Sequence, residues 1–135
     1  MGILTTVVGS YPVPDWLAAH PSEQGLLDAM AVILKTQENA GIDVIADGEL
    51  GRFDVNHPET NGMIDYFARP LSGIRSELTF DEILAFRASQ GMAGQGMGWR
   101  KKPTGVIEGP LGSGTLNLGD ACARARTLTK RPLKF

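Results

Sequence analysis

Two short apolar segments on either side of one helical stretch constrain this chain more than any other feature. Residues 3–9, "ILTTVVG", are β-branched and almost continuously apolar, and "IDVIADGE" at 42–49 begins in the same way before it turns acidic. A continuously apolar strand is typical of a parallel sheet that is covered on both faces. The sequence therefore predicts two buried strands, near 3–9 and 42–47, that are parallel neighbours.

The segment between these strands has the start and stop signals of one helix. Ser22 is a favourable N-cap with Glu23 in the first turn, and Gly41 can end the helix as its C′ glycine. One face is formed at helical spacing by Leu26, Leu27, Met30, Ile33, Leu34 and Gln37. Strand, helix and strand in this order build a parallel sheet through a right-handed crossover. We expect a helix over 22–40 that packs across both strands.

The middle of the chain carries weaker signals. Pro58 can lie in the first turn of a short helix that carries Met63, Ile64, Tyr66 and Phe67. "TFDE" at 79–82 is a capping box that opens a helix, which we expect to end at Gly91. Residues 91–98, "GMAGQGMG", are half glycine and predict a loop.

The last third predicts one more helix between two strand-like segments. Residues 104–115 begin like a strand and leave it through glycines, and a helix is expected around 118–129. "RPLKF" at 131–135 then has the character of another buried strand. Because natural termini are usually polar and loosely held, this ending predicts a chain that is cut within its fold.

Composition restricts the class of protein. The 135 residues predict one domain, and 42% hydrophobic with 21% charged residues is enough to bury a core. A net charge of -2 without a basic face argues against nucleic acid, and no apolar stretch approaches the roughly 20 residues that cross a membrane. A single cysteine, Cys122, and the lack of a secretory signal suit a reducing compartment. We expect a cytoplasmic protein with a small-molecule or protein partner.

Polar groups follow both predicted strands at the point where each strand ends. Gly9-Ser10 offers backbone N–H groups and a hydroxyl that can bind a carboxylate or a phosphate. In the second segment, Glu49 can bind an ammonium group through charge-assisted hydrogen bonds. Ligands of parallel α/β proteins gather at this end of the strands. The alternatives are a plain turn after the first strand and a surface ion pair between Glu49 and Arg52 after the second.

The candidate metal ligands do not form a site by their spacing. His20, His57 and Cys122 are far apart, whereas zinc takes three or four ligands that are usually closely spaced. We expect no metal site within these residues and no stoichiometric zinc. The glycine-rich "GQGMG" and "GPLGSGT" lack the Lys-Ser/Thr ending of a phosphate-binding P-loop, so we interpret both as loops.

Taken together, three separated motifs resemble one known family. They are "TTVVGSYPVPDWL", "VILKTQENAGIDVIADGELGRFD" and "MIDYFARPLSGI". Their order and spacing over residues 4–74 resemble the N-terminal portion of the catalytic domain of cobalamin-independent methionine synthase, and "RPLKF" resembles the run into its third barrel strand. The resemblance implies an α/β fold, a partial TIM (β/α)8-type barrel comprising the first two to three βα units over residues 1–135.

The resemblance also implies a function and site residues. The family transfers a methyl group, from methyltetrahydrofolate in the synthase, to the thiol of homocysteine. Val8, Gly9 and Ser10 match the motif whose backbone and hydroxyl hold the amino-acid carboxylate, and Glu49 matches the glutamate that binds the amino group. The two strand ends would thus hold the two charges of one zwitterionic amino acid. No catalytic residue is assigned within this chain.

The resemblance leaves part of the chemistry outside this sequence. The family's zinc ligands, a His-x-Cys pair with a later glutamate and cysteine, match no position here, and a full barrel needs roughly 250 residues. The chain is therefore expected to be inactive alone. Alternatives are alkyl transfer to another thiol such as coenzyme M, a uroporphyrinogen-decarboxylase-like enzyme, or a non-catalytic protein. The last would be a homo-oligomer or a subunit that is completed by a separate barrel half.

Overall fold

The computed structural model of the protein describes residues 2–56, 63–89 and 103–135, which fall into two units. The first unit comprises Met1–Gly62 and Asn117–Phe135, and the second comprises Met63–Leu116. The predictions for 91–98, for a helix end at Gly91 and for a helix start at Pro58 lie outside the described residues.

The first unit contains three helices, one 3-10 turn and two short strands within the part of the chain that is described. In chain order these are α1 (Asp15–Ala19), α2 (Glu23–Asn39), β1 (Ile45–Ala46), the 3-10 turn Leu50–Arg52, α5 (Leu118–Arg126) and β4 (Leu133–Lys134). The second unit contains α3 (Asp65–Ala68), β2 (Ile74–Arg75), α4 (Phe80–Ser89) and β3 (Val106–Ile107). No described helix has both the length and the apolar character that a membrane crossing requires.

Helix α2 begins and ends where its sequence predicts. The Ser22 hydroxyl accepts a hydrogen bond from the Gly25 N–H at 3.0 Å, which satisfies one of the free donors of the first turn. After Asn39 the chain leaves the helix through Gly41, whose φ of +77° is favourable only for glycine. The buried face consists of Leu26, Ala29, Met30, Ile33, Leu34 and Gln37.

Three segments of the first unit run parallel to one another. Thr6 and Val44 form a parallel bridge, in which the Val44 N–H donates to the Thr5 carbonyl at 3.0 Å. On the side of β1 that faces away from the first segment, β1 pairs in parallel with β4, with Ile45 opposite Leu133. The expectation that 3–9 and 42–47 are parallel neighbours is therefore confirmed at Thr6 and Val44, and the strand character of "RPLKF" is confirmed in β4.

The parallel ladder ends abruptly at Ala46, where a helix side chain replaces the neighbouring strand. The Gln37 Nε2 donates to the Ala46 carbonyl at 2.8 Å, and the Ala46 N–H donates to the Gln37 Oε1 at 2.8 Å. In a continued parallel ladder, these two backbone groups would pair with residues 7–9 of the first segment. Gln37 is 1% exposed, so both bonds are shielded from water.

The first segment is consequently not the continuous buried strand that its sequence predicts. Only Thr6 forms a bridge, while Ile3, Leu4 and Val8 are 94%, 75% and 91% exposed. Past Thr6, the Val7 carbonyl accepts a hydrogen bond from the Lys134 ammonium. Since Gln37 occupies the backbone groups of Ala46, the segment leaves the sheet early, and the described residues provide no layer over its apolar side chains.

The core of the first unit lies between α2 and the segments that surround it. Its buried residues are Leu17, Leu26, Ala29, Met30, Ile33, Leu50 and Ala125, and Tyr11, Val13, Phe53, Val55, Leu128 and Leu133 pack against them. Leu50 belongs to the turn directly after β1. The turn that carries the predicted ligand-binding glutamate is therefore anchored in the core by its next residue.

The second unit is organised around one arginine. Strands β2 and β3 are antiparallel, and Arg75 of β2 donates to Glu108 at 2.6 Å and to Glu82 of α4 at 2.7 Å. The capping box is confirmed, because the Thr79 N–H donates to the Glu82 carboxylate at 2.8 Å and the Glu82 N–H donates to the Thr79 hydroxyl at 3.2 Å. Strand β3 confirms the strand-like start of 104–115, whereas β2 was not predicted.

Replacing Gln37 by Leu should destabilise the first unit, because the Ala46 N–H and C=O would be buried without partners. Each unsatisfied group costs about 1–3 kcal/mol, so we expect the free energy of unfolding to fall by about 2–6 kcal/mol in urea denaturation. Gln24→Leu is the control, since Gln24 lies exposed on the same helix and its side chain bonds only Asp28 among the described residues. A loss for Gln37→Leu no larger than that of the control would contradict this role.

Acidification should weaken the second unit through Glu82. Hydrogen bonds from Arg75 and from the Thr79 N–H lower the pKa of Glu82 from 4.5 to about 2. Because the pKa of Glu82 is lower in the folded state, its ionised carboxylate stabilises the fold at pH values above the unfolded-state pKa of 4.5. This stabilisation is lost as the pH falls from 4.5 to about 2. Glu82→Gln should reduce the pH dependence of the α4 amide NMR signals in this window. Glu77→Gln, whose side chain makes no hydrogen bond within the described residues, should leave it unchanged.

Candidate functional site

The candidate site lies where the segment after Val8 meets the turn after β1. The Tyr11 N–H donates to the Gly48 carbonyl at 2.9 Å and joins the two loops. Gly48 has a φ of +72°, and a Cβ there would lie 3.1 Å from both Ile33 and Tyr11. Glycine is therefore required at this position by its backbone conformation and by its close neighbours.

The turn that follows places Glu49 in an unusual backbone conformation. Glu49 has φ 58° and ψ 16°, in the left-handed region that costs a residue with a Cβ about 1–2 kcal/mol. Its N–H donates to the Asp47 Oδ1 at 3.0 Å, an Asx-type turn in which an aspartate bonds the backbone two residues on. Asp47 thereby holds the backbone of Glu49 in place.

Asp47 is buried beneath this turn, with only 6% of its surface exposed. Burial raises the pKa of Asp47 above its usual 3.8, while the Glu49 N–H and the positive charge of Arg52 offset part of that rise. A buried carboxylate is costly unless it accepts hydrogen bonds. Its engagement with the backbone of the turn explains why an acidic residue can lie here.

The structure brings Ser10 and Glu49, the two polar side chains predicted for the site, into contact. The Ser10 hydroxyl donates to the Glu49 Oε2, although the two residues are 39 positions apart. Arg52 donates to the same oxygen at 2.8 Å, which confirms the alternative prediction of a Glu49–Arg52 ion pair. The two interactions coexist, and Oε1 of Glu49 accepts no hydrogen bond from any described residue.

Val8 and Gly9 form the open side of the site. The Val8 side chain is exposed, Gly9 has a φ of +103°, and a Cβ at Gly9 would meet nothing within 4 Å. Within residues 2–56, 63–89 and 103–135, the backbone N–H groups of Val8, Gly9 and Ser10 have no hydrogen-bond acceptor. Adjacent free N–H groups can bind an anion such as a carboxylate.

Sequence reasoning missed two contributors to this geometry. Asp47 carries no predicted role, although an aspartate followed by Gly48 is a local signal for an Asx turn. Gln37 was interpreted as part of the α2 stripe, and no local signal pairs it with Ala46. Both residues are buried, and both act by shaping the turn or the strand before it.

The described residues do not fit a zinc ion. No three His, Cys, Asp or Glu side chains come together within them. His57 lies outside the described residues, and Cys122 is part of α5. Glu49 is bonded by Ser10 and Arg52, and Asp47 by the backbone of its own turn. The expectation that these residues bind no zinc stays a prediction.

Replacing Gly48 by Ala should destabilise the turn, because alanine is strained at this φ and its Cβ would press on Ile33 and Tyr11. We expect a loss of about 1–3 kcal/mol in the free energy of unfolding. The matched control is Gly51→Ala, since a Cβ there would meet only the Asp47 Oδ2 at an ordinary 3.5 Å. Equal stability of the two variants in urea denaturation would show that the Gly48 turn is not tightly packed.

Comparison with known proteins identifies archaeal relatives that carry the name methionine synthase. The one from Sulfolobus acidocaldarius is 34% identical over 83 residues, which cover 53% of this chain and 22% of that protein. Relatives from Saccharolobus islandicus and Sulfurisphaera tokodaii are each 36% identical over 83 residues and 53% of this chain, covering 23% and 22% of their own lengths. No protein-family model matches.

The chain spans less than a quarter of the length of the curated relatives it matches. Three relatives from different archaea agree in identity and in the share of this chain that they cover, so the similarity does not depend on one comparison. Over about half of its length, the chain is distantly related to methionine synthases.

Proposed function

We propose that this chain supplies the amino-acid-binding part of a methionine-synthase-like methyltransferase site, with homocysteine as its ligand. The contact between Ser10 and Glu49 at the ends of two parallel segments is the observation that carries the proposal. It joins a strand end whose N–H groups have no acceptor among the described residues to a strand end with a carboxylate. The relationship to methionine synthases supports homocysteine among the ligands that this arrangement can bind.

The two sides of the site match the two charges of an α-amino acid. Oε1 of Glu49, which has no donor among the described residues, can accept a hydrogen bond from the ligand's ammonium group. The N–H groups of Val8, Gly9 and Ser10 can donate to its carboxylate. The thiol would then project away from both groups. Its activation is assigned to no described residue, so the chain alone is expected to bind rather than to transfer.

The fold and the methyl donor belong to the same proposal. The parallel order of Thr6, β1 and β4 around α2 is compatible with the first units of a (β/α)8 barrel. The donor would be of the methyltetrahydrofolate type, and the zinc site would be formed by residues that have no counterpart here. A full site would combine this binding part with the remainder of such a barrel.

Homocysteine is favoured over the other thiols by Oε1 of Glu49, which no described residue bonds. Coenzyme M has no amino group, so it would leave this carboxylate without a ligand partner. A uroporphyrinogen-decarboxylase-like reaction acts on a large polyanion, which the Glu49 carboxylate would repel. In the first alternative the charge of Glu49 has no partner on the ligand, and in the second it repels the ligand.

A second role is favoured by the exposed apolar side chains of the first segment. Ile3, Leu4 and Val8 lie on a segment with only one bridge to its neighbour, and such a segment can pair with another chain. In this role the chain would be a non-catalytic oligomer or a subunit that completes a barrel with a partner. It predicts no response to homocysteine in the isolated chain.

Titration of the 135-residue chain with L-homocysteine tests the proposal. Glu49→Gln removes the charge and keeps the shape, so the loss of one charged hydrogen bond should weaken binding by about 1.5–3 kcal/mol, or roughly tenfold to a hundredfold. Binding can be followed by the NMR amide shifts of Ser10 and Glu49. Desamino-homocysteine, the same thiol acid without its amino group, should bind the parent chain weakly. Its affinity should be the same for the Glu49→Gln variant.

Glu23→Gln is the matched control, because Glu23 also pairs with an arginine, Arg124, but lies on the surface of α2. This variant should bind homocysteine like the parent chain. Equal homocysteine affinity in the Glu49→Gln variant would contradict the ammonium role of Glu49. No binding by the parent chain would overturn the proposed function and favour the subunit role.

A further inference from the structure

The two oxygens of the Glu49 carboxylate have different surroundings. Oε2 accepts from the Ser10 hydroxyl and from Arg52 Nη1, whereas Oε1 accepts from no described residue. Arg52 and Glu49 belong to one 3-10 turn, in which the Arg52 N–H donates to the Glu49 carbonyl at 3.1 Å. The arginine therefore bonds both the backbone and the side chain of the same glutamate.

We propose that Arg52 is a positioning residue that holds Glu49 with Oε1 directed to the ligand's ammonium group. This inference rests on the proposed function and adds a specificity-determining residue to it. Arg52 does not touch the ligand. It acts together with Ser10 by fixing the oxygen that the ligand does not use.

Order in the unloaded site gives the inference its physical basis. A glutamate side chain has three rotatable bonds, and a ligand that binds a freely rotating carboxylate must immobilise them. Two donors on Oε2 immobilise them in advance, so ligand binding loses less conformational entropy. The planar guanidinium of arginine suits this task better than the flexible ammonium of lysine, because its N–H groups have fixed directions.

The charge of Arg52 acts in the opposite direction, because it repels an ammonium group at Oε1. The side chains of Arg52 and Glu49 are 28% and 27% exposed, so water and salt screen this repulsion. We expect the gain from order to exceed the repulsion. The two effects predict opposite changes of affinity when Arg52 is removed, which makes them separable by experiment.

Titration of Arg52→Gln with L-homocysteine and desamino-homocysteine tests the inference. Homocysteine affinity should fall about threefold to tenfold, the expected effect of leaving one flexible side chain to be ordered by the ligand. Affinity for desamino-homocysteine should not change. The control is Arg124→Gln, because Arg124 pairs with Glu23 at 3.3 Å on the surface and should affect neither ligand.

A second measurement needs no ligand. Three-bond NMR couplings of Glu49 should report one side-chain rotamer in the parent chain and averaged rotamers in Arg52→Gln. If Arg52→Gln does not fold, Arg52→Lys provides the same test, since lysine keeps the charge but lacks the directed N–H groups. Averaged rotamers and weaker homocysteine binding in Arg52→Lys would then support the inference.

Three results would overturn the positioning role. They are equal or tighter homocysteine binding without Arg52, equal loss for both ligands, and a single Glu49 rotamer in the variant. If Glu49→Gln weakens homocysteine binding and Arg52→Gln does not, the proposed function stands and the role of Arg52 falls. If the parent chain binds no homocysteine, the proposed function falls together with the ammonium role, and the couplings alone decide whether Arg52 orders Glu49.

Discussion

The pair of hydrogen bonds between the Gln37 side chain and the backbone of Ala46 is the interaction on which the rest of the first unit depends. A buried amide satisfies a buried N–H and a buried C=O at once, in the place where a neighbouring strand would otherwise continue. It fixes α2 against β1 by directional bonds as well as by apolar packing. It also sets the residue at which the parallel ladder stops, because Ala46 has no backbone group left for the first segment.

That early end of the ladder has a functional consequence. Released from the sheet beyond Thr6, the chain turns through Gly9 and presents three N–H groups, the last at Ser10, that have no acceptor among the described residues. Had the ladder continued, backbone groups of residues 7–9 would have been used in the sheet. The Tyr11–Gly48 bond then returns the released segment to the turn after β1. The same pairing that completes β1 thus frees the backbone that can bind a carboxylate.

Charge in the site is arranged around one backbone turn. Asp47 lies buried below it and bonds the Glu49 N–H, while Arg52 bonds the Glu49 carboxylate from the end of the turn. The left-handed conformation of Glu49 costs free energy, and residues held in such conformations cluster at binding sites. The bond from Asp47 and the burial of Leu50 offset that cost. This leaves one carboxylate oxygen, Oε1, free of donors from the described residues.

Local features of this protein were determined by the sequence itself. The caps of α2 at Ser22 and Gly41 and the capping box of α4 involve residues at most a few positions apart, so their chemistry can be identified from the chain alone. That Ser10 and Glu49 lie at one site was expected from the ends of two parallel strands and from the resemblance, whereas their direct hydrogen bond was not predicted. Tertiary structure alone decided that Gln37 replaces a strand, that Ile3 and Val8 are exposed, and that Ser10 and Arg52 share one oxygen. These features depend on which segments meet in space, because a buried polar group bonds the nearest available partner whatever its distance along the chain.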